Sequence, residues 1–287
     1  MTISSKITTA MTASSWIRRM FEEGARLKAQ HGAENVYDFS LGNPVVEPPE
    51  AVIAALVEAA GTRVSGAHRY MQNAGYPEVR AAVGDYLASQ TGLPFTGSHV
   101  VMCVGAGGGL NVVLKTLLDA GDEVICLTPY FVEYRFYIDN HGGAPGLVPT
   151  DDAFLPRLAA IEAAITPRTK AILVNSPNNP TGVTYPRERL DALGALLAAK
   201  SAELGRRIYL ITDEPYRYIS YGVDVPWVFD SYDDTLLVTS HSKDLALPGE
   251  RIGFIAVSPR VMPLEPLMAG LTFSPRTLGF VNAPATQ

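Results

Sequence analysis

The sequence contains 287 residues, of which 47% are hydrophobic and 18% are charged. This composition allows a substantial core and lacks the low hydrophobicity that marks disordered proteins. The formal net charge of -6 and the pI near 5.4 argue against a nucleic-acid-binding protein, which normally carries a basic stripe. We therefore expect a protein that acts on a small molecule.

Cysteine content and hydropathy predict a cytoplasmic location. Cys103 and Cys126 lie inside apolar runs, where a thiol usually packs as a small core residue. Two such thiols make no disulfide framework, so a reducing compartment is expected. No stretch reaches the roughly 18 apolar residues of a membrane-spanning helix, and we predict neither a membrane partner nor a metal site.

The predicted elements begin with residues 1–13, which are rich in Ser and Thr and are interpreted as a tail. Apolar residues at helical spacing predict an amphipathic helix from Ser15 to about Gln30 and a second helix over Pro49–Ala60. Both helices are expected to cover the surface of the protein rather than form its core.

From residue 98 onward, short apolar runs alternate with helical segments rich in Ala and Leu. The predicted strands are His99–Val104, Glu123–Leu127, Gly146–Val148, Lys170–Val174, Ile208–Thr212, Thr235–Thr239 and Ile252–Val257. The predicted helices include Gly109–Ala120, Phe131–Asn140, Leu155–Ile165 and Arg187–Glu203. This alternation predicts an α/β fold with a mostly parallel seven-stranded sheet flanked by helices, in which ligands bind outside the carboxyl ends of the strands.

Glycine-rich and proline-rich segments follow two of these strands. The run Gly105–Gly109 is either a flexible tight turn or a phosphate cradle at the start of a helix. It matches neither GxGxxG in the right context nor a P-loop, so no dinucleotide or nucleoside triphosphate is indicated. The segment Asn175–Gly182 is either a turn or a rigid loop that aims an amide side chain at a bound ring.

Charged residues follow two further strands. Asp213 comes directly after a buried strand, where a carboxylate is either a solvated cap or the counter-ion of a pyridinium nitrogen. Lys243 follows another apolar strand and two serine hydroxyls, unlike the other lysines, which have settings typical of solvated residues. A desolvated lysine close to positive charge loses affinity for its proton, as a Schiff-base nucleophile requires. Arg251 offers a planar fork for a phosphate.

Three motifs in this order carry a family resemblance: SPNNPTG at 176–182, DEPY at 213–216 and SHSK at 240–243, followed by LPGERIG. Together they resemble the class I/II aminotransferases, the fold-type I enzymes that depend on pyridoxal 5'-phosphate (PLP). The resemblance extends from SSWIRRMFEEG near Ser15 through LGNP at 41–44 to the end of the sequence. It implies that residues 1–45 form an N-terminal arm and helix of a small domain, and that residues 46–287 form the large PLP-binding domain.

The resemblance also assigns roles in catalysis. Lys243 would attach PLP covalently and later carry a proton between the substrate and the cofactor. Asp213 would pair with the protonated ring nitrogen. Tyr216 and Asn179 would hydrogen-bond the phenolic oxygen of the cofactor, and Asn179 would also contact the substrate. Phe131 would stack on the ring, with Tyr130 as the neighbouring alternative.

The remaining implied roles concern the phosphate, the substrate carboxylate and the partner subunit. The phosphate would be held by the following groups: the backbone of Ala106 and Gly107, the hydroxyl of Ser240 and the guanidinium of Arg251. Tyr70 would reach the phosphate of a neighbouring subunit, which implies a homodimer with shared active sites. Gly42 would lie near the substrate carboxylate.

The end of the sequence departs from the family pattern. Members usually continue with most of the small domain and an arginine that binds the substrate carboxylate, whereas this sequence stops at Gln287, inside an expected helical stretch. Arg260 and Arg276 do not match that arginine. We expect either that the sequence is truncated or that a second polypeptide completes it. In both cases closure of the protein over the substrate should be impaired more than binding of the cofactor.

The implied activity is transfer of an amino group from an L-amino acid to a 2-oxo acid such as 2-oxoglutarate, by a ping-pong route. Aspartate is the first choice of donor. The same fold carries C–S lyases, decarboxylases and synthases, and the cofactor residues alone do not separate these from aminotransferases. An inactive PLP-binding fragment is a further alternative.

Overall fold

The structure is a computed structural model that describes residues 2–13, 15–39, 42–63, 65–66 and 69–283. The chain divides into two compact units, Met1–Val45 and Val46–Gln287. Assignment of the first unit to a small domain remains a prediction. No helix among the described residues is both long and apolar enough to cross a bilayer.

The first unit contains helices α1 (Ser5–Ala13) and α2 (Ser15–His31). Helix α2 confirms the helix predicted from Ser15, whereas α1 replaces the predicted tail. In α1 the hydroxyl of Thr12 donates to the Thr8 carbonyl at 3.0 Å, and other Thr side chains bond in the same way. Such bonds satisfy the hydroxyls within the helix, so the Ser- and Thr-rich composition is compatible with helical structure.

The second unit contains a seven-stranded sheet with helices around it. Its strands are β1 (Val100–Val104), β2 (Glu123–Thr128), β3 (Ala144–Pro149), β4 (Thr169–Asn175), β5 (Tyr209–Asp213), β6 (Thr235–Ser240) and β7 (Ile252–Val257). Its helices are α3 (Glu50–Gly61), α4 (Pro77–Thr91), α5 (Gly105–Leu117), α6 (Tyr134–Asn140), α7 (Leu158–Ala164), α8 (Arg187–Leu204) and α9 (Leu264–Thr277). The strand order is β1-β7-β6-β5-β4-β2-β3. Strands β2 to β6 are parallel to one another, and β7 runs antiparallel to both of its neighbours. The predicted mostly parallel seven-stranded sheet is thus confirmed.

Alternating side chains along the strands divide the core between the two faces of the sheet. On one face, Leu173 and Ile211 pack in a cluster with residues of α5, α6 and α9. On the other face, Ile172 and Leu210 pack with residues of α7 and α8, and Phe254 packs with residues of α4. Both faces are covered, which explains why these strands are apolar throughout.

Several predicted boundaries are wrong, among them the starts of β1 and α5. Strand β1 begins after His99, because His99 ends a short 3-10 turn in which its Nδ1 accepts a hydrogen bond from the Thr96 N–H at 3.1 Å. The glycine run is the first part of α5 rather than a turn before it. A Cβ atom at Gly109 would lie 2.6 Å from Val238 Cγ1 and 2.9 Å from Cys103 Sγ. Glycine is therefore required where this helix packs closely on the sheet, which overrides its poor helix propensity.

The expected helical stretch at the end of the sequence is also not found in the described residues. Helix α9 ends at Thr277, and residues 278–283 are not helical. Residues 284–287 lie outside the described residues. The end of α9 is fixed by hydrogen bonds from the N–H groups of Leu278 and Val281 to carbonyls within the helix, at Ser274 and Pro275.

Candidate active site

One edge of the sheet gathers most of the residues that the sequence analysis selected. Parallel strands β4 and β5 end side by side, because Asn175 pairs with Asp213 in the register. Strand β6 ends at Ser240, which pairs with Gly253 of the antiparallel β7. Gly253 also pairs with Cys103 near the end of β1. The ends of β1, β4, β5 and β6 and the start of β7 therefore form one continuous edge.

Asp213 is the buried acid at this edge. Its side chain is 6% exposed, and its Oδ2 accepts a hydrogen bond from Tyr134 Oη at 2.6 Å. No described residue donates a hydrogen bond to its Oδ1. Burial raises the pKa of Asp213 to about 7, with a contribution from Glu214 that the Tyr134 hydrogen bond opposes. An additional cationic N–H donor at Oδ1 would compensate this carboxylate for its desolvation.

Lys243 lies in the segment after β6 and is half-buried. Burial lowers its pKa, and the positive charge of Arg251 lowers it further. Both effects disfavour the ammonium form. The amine is therefore more available as a nucleophile than that of a solvated lysine.

Arg251 lies against the first residue of α5. A Cβ atom at Gly105 would be 2.7 Å from Arg251 Nη2 and 3.0 Å from its Cζ. Gly105 has φ +65°, which favours glycine, and Arg251 Nη1 donates to the Pro248 carbonyl at 3.0 Å. No side chain caps the amino end of α5. A guanidinium beside uncapped helix amides forms a site for an anion such as phosphate.

Ala106 and Gly107 follow in the first turn of α5, and Tyr137 of α6 approaches them. A Cβ atom at Gly107 would lie 3.0 Å from Tyr137 Oη. Burial raises the pKa of Tyr137, Glu133 and Asp213 raise it further, and Arg251 opposes them. Tyr137 therefore lies within electrostatic range of both the buried acid and the guanidinium.

Asn175 connects the loop after β4 to the end of β5. Its Nδ2 donates to the Asp213 carbonyl at 2.7 Å, and its Oδ1 accepts from the Asn179 N–H at 2.6 Å. Asn179 Nδ2 in turn donates to Tyr216 Oη at 3.2 Å. Burial and the charge of Asp213 raise the pKa of Tyr216, and the Asn179 hydrogen bond lowers it. Two predicted site residues, Asn179 and Tyr216, are thereby joined directly.

The predicted stacking aromatic and Ser240 are also at this edge. Phe131 is partly buried, and its ring packs edge-on against Tyr134 with 5.5 Å between centroids. Tyr130, the neighbouring alternative, is stacked on the same ring at 6.3 Å. Ser240 is buried, and its hydroxyl donates to Ser242 Oγ at 3.2 Å.

The contacts described above do not test the roles predicted for Tyr70 and Gly42. Tyr70 is 97% exposed, and its ring lies 6.2 Å from that of Phe280. Gly42 belongs to the first unit, Met1–Val45. The roles predicted for both residues remain predictions.

The sequence assigned no role to Tyr134 and Tyr137, and it indicated Asn175 only as the first residue of a loop that could aim an amide side chain at a ring. A signal for the tyrosines was present, because both lie in the predicted helix Phe131–Asn140 at a spacing that places them on one helix face. Asn175 is the last residue of β4, where a polar side chain at a strand end is a candidate for function.

A cavity of about 400 Å³ is lined by a different set of residues. It is lined largely by apolar side chains, with Glu214, Thr239 and His241 among its polar members. Its lining includes none of Lys243, Asp213 and Arg251. The chemistry-bearing groups lie at the strand ends instead.

Comparisons with known proteins identify the family of the chain. A model of the family "Aminotransferase class I and II" matches residues 33–277. A probable aspartate/prephenate aminotransferase of Thermus aquaticus is 36% identical over 244 residues, which are 83% of this chain and 61% of that protein. An aspartate aminotransferase of Geobacillus stearothermophilus is 32% identical over 244 residues, which are 82% of this chain and 59% of that protein.

Solved structures show the same similarity. An amino transferase from Eubacterium rectale superposes with a TM-score of 0.94 and 39% identity, over 100% of this chain and 73% of that one. An aspartate aminotransferase from Thermus thermophilus with maleate gives a TM-score of 0.82 and 31% identity, over 100% of this chain and 71% of that one. The chain spans 61% or less of the length of the curated relatives named above. The family match covers most of the chain, and the chain belongs to the class I and II aminotransferases.

Proposed function

We propose that this chain binds PLP at the strand-end site and is the cofactor-binding part of an aminotransferase. PLP is the cofactor of the family to which the chain belongs. The observation that carries the proposal is the buried carboxylate of Asp213, whose Oδ1 receives no hydrogen bond from the described residues. The pyridinium N–H of PLP is a donor of the charge and type that this oxygen lacks.

The phosphate end of the cofactor has matching groups. Arg251 supplies the guanidinium beside Gly105, and Ala106 and Gly107 supply backbone amides at the uncapped start of α5. The buried hydroxyl of Ser240 is a further donor. Positive charge and amide donors at one helix terminus suit a dianionic phosphate.

The middle of the cofactor would be held by groups between these two ends. Asn179 and Tyr216, already hydrogen-bonded to each other, would donate to its phenolic oxygen. Phe131 would pack on its ring, and Lys243 would bind its carbonyl carbon covalently. These are the residues whose placement at the strand ends fits a planar, phosphorylated aromatic aldehyde.

When bound, PLP supplies a ring that accepts the electron pair released at the substrate Cα. The residues of the chain prepare this chemistry. Asp213 holds a proton at the ring nitrogen, because a carboxylate paired with a pyridinium stabilises the charged form of each. Lys243 Nζ moves a proton to and from the substrate carbon, and burial and the charge of Arg251, which lower its pKa, favour the neutral amine that acts as a base.

For substrates, we propose an L-amino acid as donor, with aspartate as first choice, and a 2-oxo acid as acceptor. Support comes from the relatives named aspartate or aspartate/prephenate aminotransferase and from the Thermus thermophilus structure with maleate, a dicarboxylate. Gly42 is proposed to lie near the substrate carboxylate.

We also propose a homodimer in the cytoplasm, with Tyr70 reaching the phosphate in the partner subunit. Tyr70 is 97% exposed, so its side chain is accessible to a partner subunit, as this arrangement requires. Sedimentation of the purified chain at several concentrations tests it, and a monomer at every concentration would refute it.

The test of the cofactor site is borohydride reduction of the protein with PLP, followed by peptide mass spectrometry. We expect the adduct at Lys243 in the wild type and no adduct at that position in Lys243→Ala. The control is Lys200→Ala, which changes a lysine of α8 that pairs with Glu162 and Glu203. A wild-type chain without an adduct at Lys243 would refute the proposal.

Product analysis then separates transamination from other PLP chemistry. With L-aspartate and 2-oxoglutarate, we expect stoichiometric formation of oxaloacetate and L-glutamate. Release of ammonia or carbon dioxide instead would indicate a lyase or a decarboxylase. Covalent binding of PLP without any turnover would indicate an inactive PLP-binding fragment.

A further inference from the structure

Among the described residues, Tyr134 is the side chain that hydrogen-bonds the carboxylate of Asp213, the buried acid of the site. It is the first residue of α6, is 1% exposed, and donates from Oη to Asp213 Oδ2 at 2.6 Å. This length is typical of a hydroxyl bound to an ionised carboxylate. The rings of Tyr130 and Phe131 both pack against the same phenol, with centroids 6.3 and 5.5 Å away. The hydroxyl is therefore fixed in place by packing as well as by its bond.

The two oxygens of Asp213 consequently differ. Oδ2 is held by Tyr134, whereas Oδ1 receives no hydrogen bond from the described residues. The main chain of Asp213 is fixed too, since its carbonyl accepts from Asn175 Nδ2 at 2.7 Å. With its backbone and one oxygen held, the carboxylate has lost its freedom to rotate, and the direction of Oδ1 is determined.

We propose that Tyr134 is a positioning residue that holds Asp213 Oδ2 and thereby reserves Oδ1 for the ring N–H of PLP. This inference rests on the proposed function and deepens it. Tyr134 touches neither the cofactor nor the substrate in this role, but acts through the carboxylate.

The charges around Asp213 explain why a donor is needed there. The negative charge of Glu214 raises the pKa of Asp213. Arg217 partly neutralises that charge, because its Nε donates to Glu214 Oε2 at 2.6 Å. The nearby phenols of Tyr137 and Tyr216 have raised pKa values, chiefly because of burial, and stay neutral. Tyr134 is thus the side chain in the described structure that favours the ionised form of Asp213 by direct contact.

The experiment compares Tyr134→Phe with Tyr232→Phe. Tyr232 is a matched control, because its buried hydroxyl donates to the Ile208 carbonyl at 2.8 Å, just before the opposite end of β5. Each variant loses one hydroxyl and the buried hydrogen bond that it donates, and Tyr232→Phe also loses a longer contact of 3.3 Å with Ser201 Oγ. A comparable loss of thermal stability is expected, but only Tyr134→Phe changes the surroundings of Asp213.

The first readout is the protonation of Asp213 in the cofactor-free chain. Infrared spectroscopy measures it as a function of pH, with Asp213→Asn as the reference. In Tyr134→Phe we expect the acid dissociation constant of Asp213 to fall about 10- to 100-fold, the value of a lost hydrogen bond to a charged group. In Tyr232→Phe we expect no change. An unchanged dissociation constant in Tyr134→Phe would overturn the proposal.

The second readout is cofactor affinity, measured with PLP and with its 1-deaza analogue, in which carbon replaces the ring nitrogen. We expect Tyr134→Phe to bind PLP about tenfold or more weakly and to bind the analogue as the wild type does. Equal losses for both ligands would show a merely structural role. If Tyr134→Phe does not fold, 3-fluorotyrosine at position 134 keeps the ring and its hydroxyl donor, and PLP affinity near the wild-type value is expected; a full loss there counts against the proposal.

These two readouts also separate this inference from the proposed function. If the wild type binds neither PLP nor the analogue, the proposed function fails. The infrared titration still decides whether Tyr134 holds the carboxylate.

Discussion

Replacement of Gly105 by Ala tests the phosphate end of the site. The new Cβ would lie 2.7 Å from Arg251 Nη2 and 3.0 Å from its Cζ. Since carbon atoms prefer separations of about 3.5–4.0 Å, the guanidinium must move by about 1 Å. It can do so, because Arg251 is an exposed side chain.

This displacement is large compared with the tolerance of a charge-assisted hydrogen bond, which is about 2.7–2.9 Å long. Loss of such a bond to the phosphate costs about 1.5–3 kcal/mol. The dissociation constant for PLP should therefore rise by about 10- to 150-fold. Affinity for pyridoxal, which has no phosphate, should not change.

The control is Gly92→Ala at the end of α4. Gly92 has φ +70° and Gly105 has φ +65°, but no atom lies within 4 Å of a Cβ at Gly92. Both replacements carry the backbone strain of a left-handed residue, about 1–2 kcal/mol, so thermal unfolding should shift similarly. Equilibrium titrations of both variants with PLP and with pyridoxal then separate the effect of backbone strain from the loss of phosphate binding. Wild-type PLP affinity in Gly105→Ala, or an equal loss for both ligands, would refute the reasoning.

Three further predictions concern stability. Gly109→Ala places a Cβ 2.6 Å from Val238 Cγ1, and overpacking of this kind should cost about 1–3 kcal/mol in the free energy of unfolding. Arg217→Met leaves the buried Glu214 carboxylate unpaired, which should cost about 3–5 kcal/mol in urea unfolding. The pKa of Asp213, raised to about 7, lies above its unfolded value, so the stability of the cofactor-free chain should fall as the pH rises from about 4 to about 7.

Each of these predictions has its own control. Gly61→Ala changes the last residue of α3, where no atom lies within 4 Å, and should stabilise slightly or do nothing. Arg168→Met removes an ion pair whose arginine side chain is 70% exposed and should cost under about 1 kcal/mol. Asp213→Asn should remove the stated pH dependence; its persistence in that variant would assign it to other groups.

The sequence predicted the order of the strands along the chain and the mostly parallel sheet, and the structure confirms both. The reason is that buried strands between covered faces must be apolar over their whole length. The predicted ends of strands and helices were less accurate where a side-chain hydrogen bond determines where the element begins. His99 directly precedes an apolar run in the sequence and was assigned to the strand. In the structure its ring accepts a hydrogen bond from the Thr96 N–H, and the residue ends a turn.

Tertiary packing also overrides local propensity in two helices. The glycine run at 105–109 was interpreted as a turn, yet it starts α5 because the helix approaches Val238 and Cys103 so closely. Helix α9 contains Pro275, a helix breaker by propensity. Its buried residues Leu267 and Leu271 anchor it in the core cluster.

The sequence by itself determined the family of this chain and the residue types available for PLP: a lysine, an acid, an arginine and a glycine-rich helix start, each next to a strand end. These follow from chain order, because parallel strands bring their carboxyl ends to one edge. Only the tertiary structure decided that Tyr134 holds one oxygen of Asp213 and that Gly105 lies against Arg251. Such contacts depend on how α6 and α5 dock on the sheet, which side-chain packing fixes and local sequence does not encode.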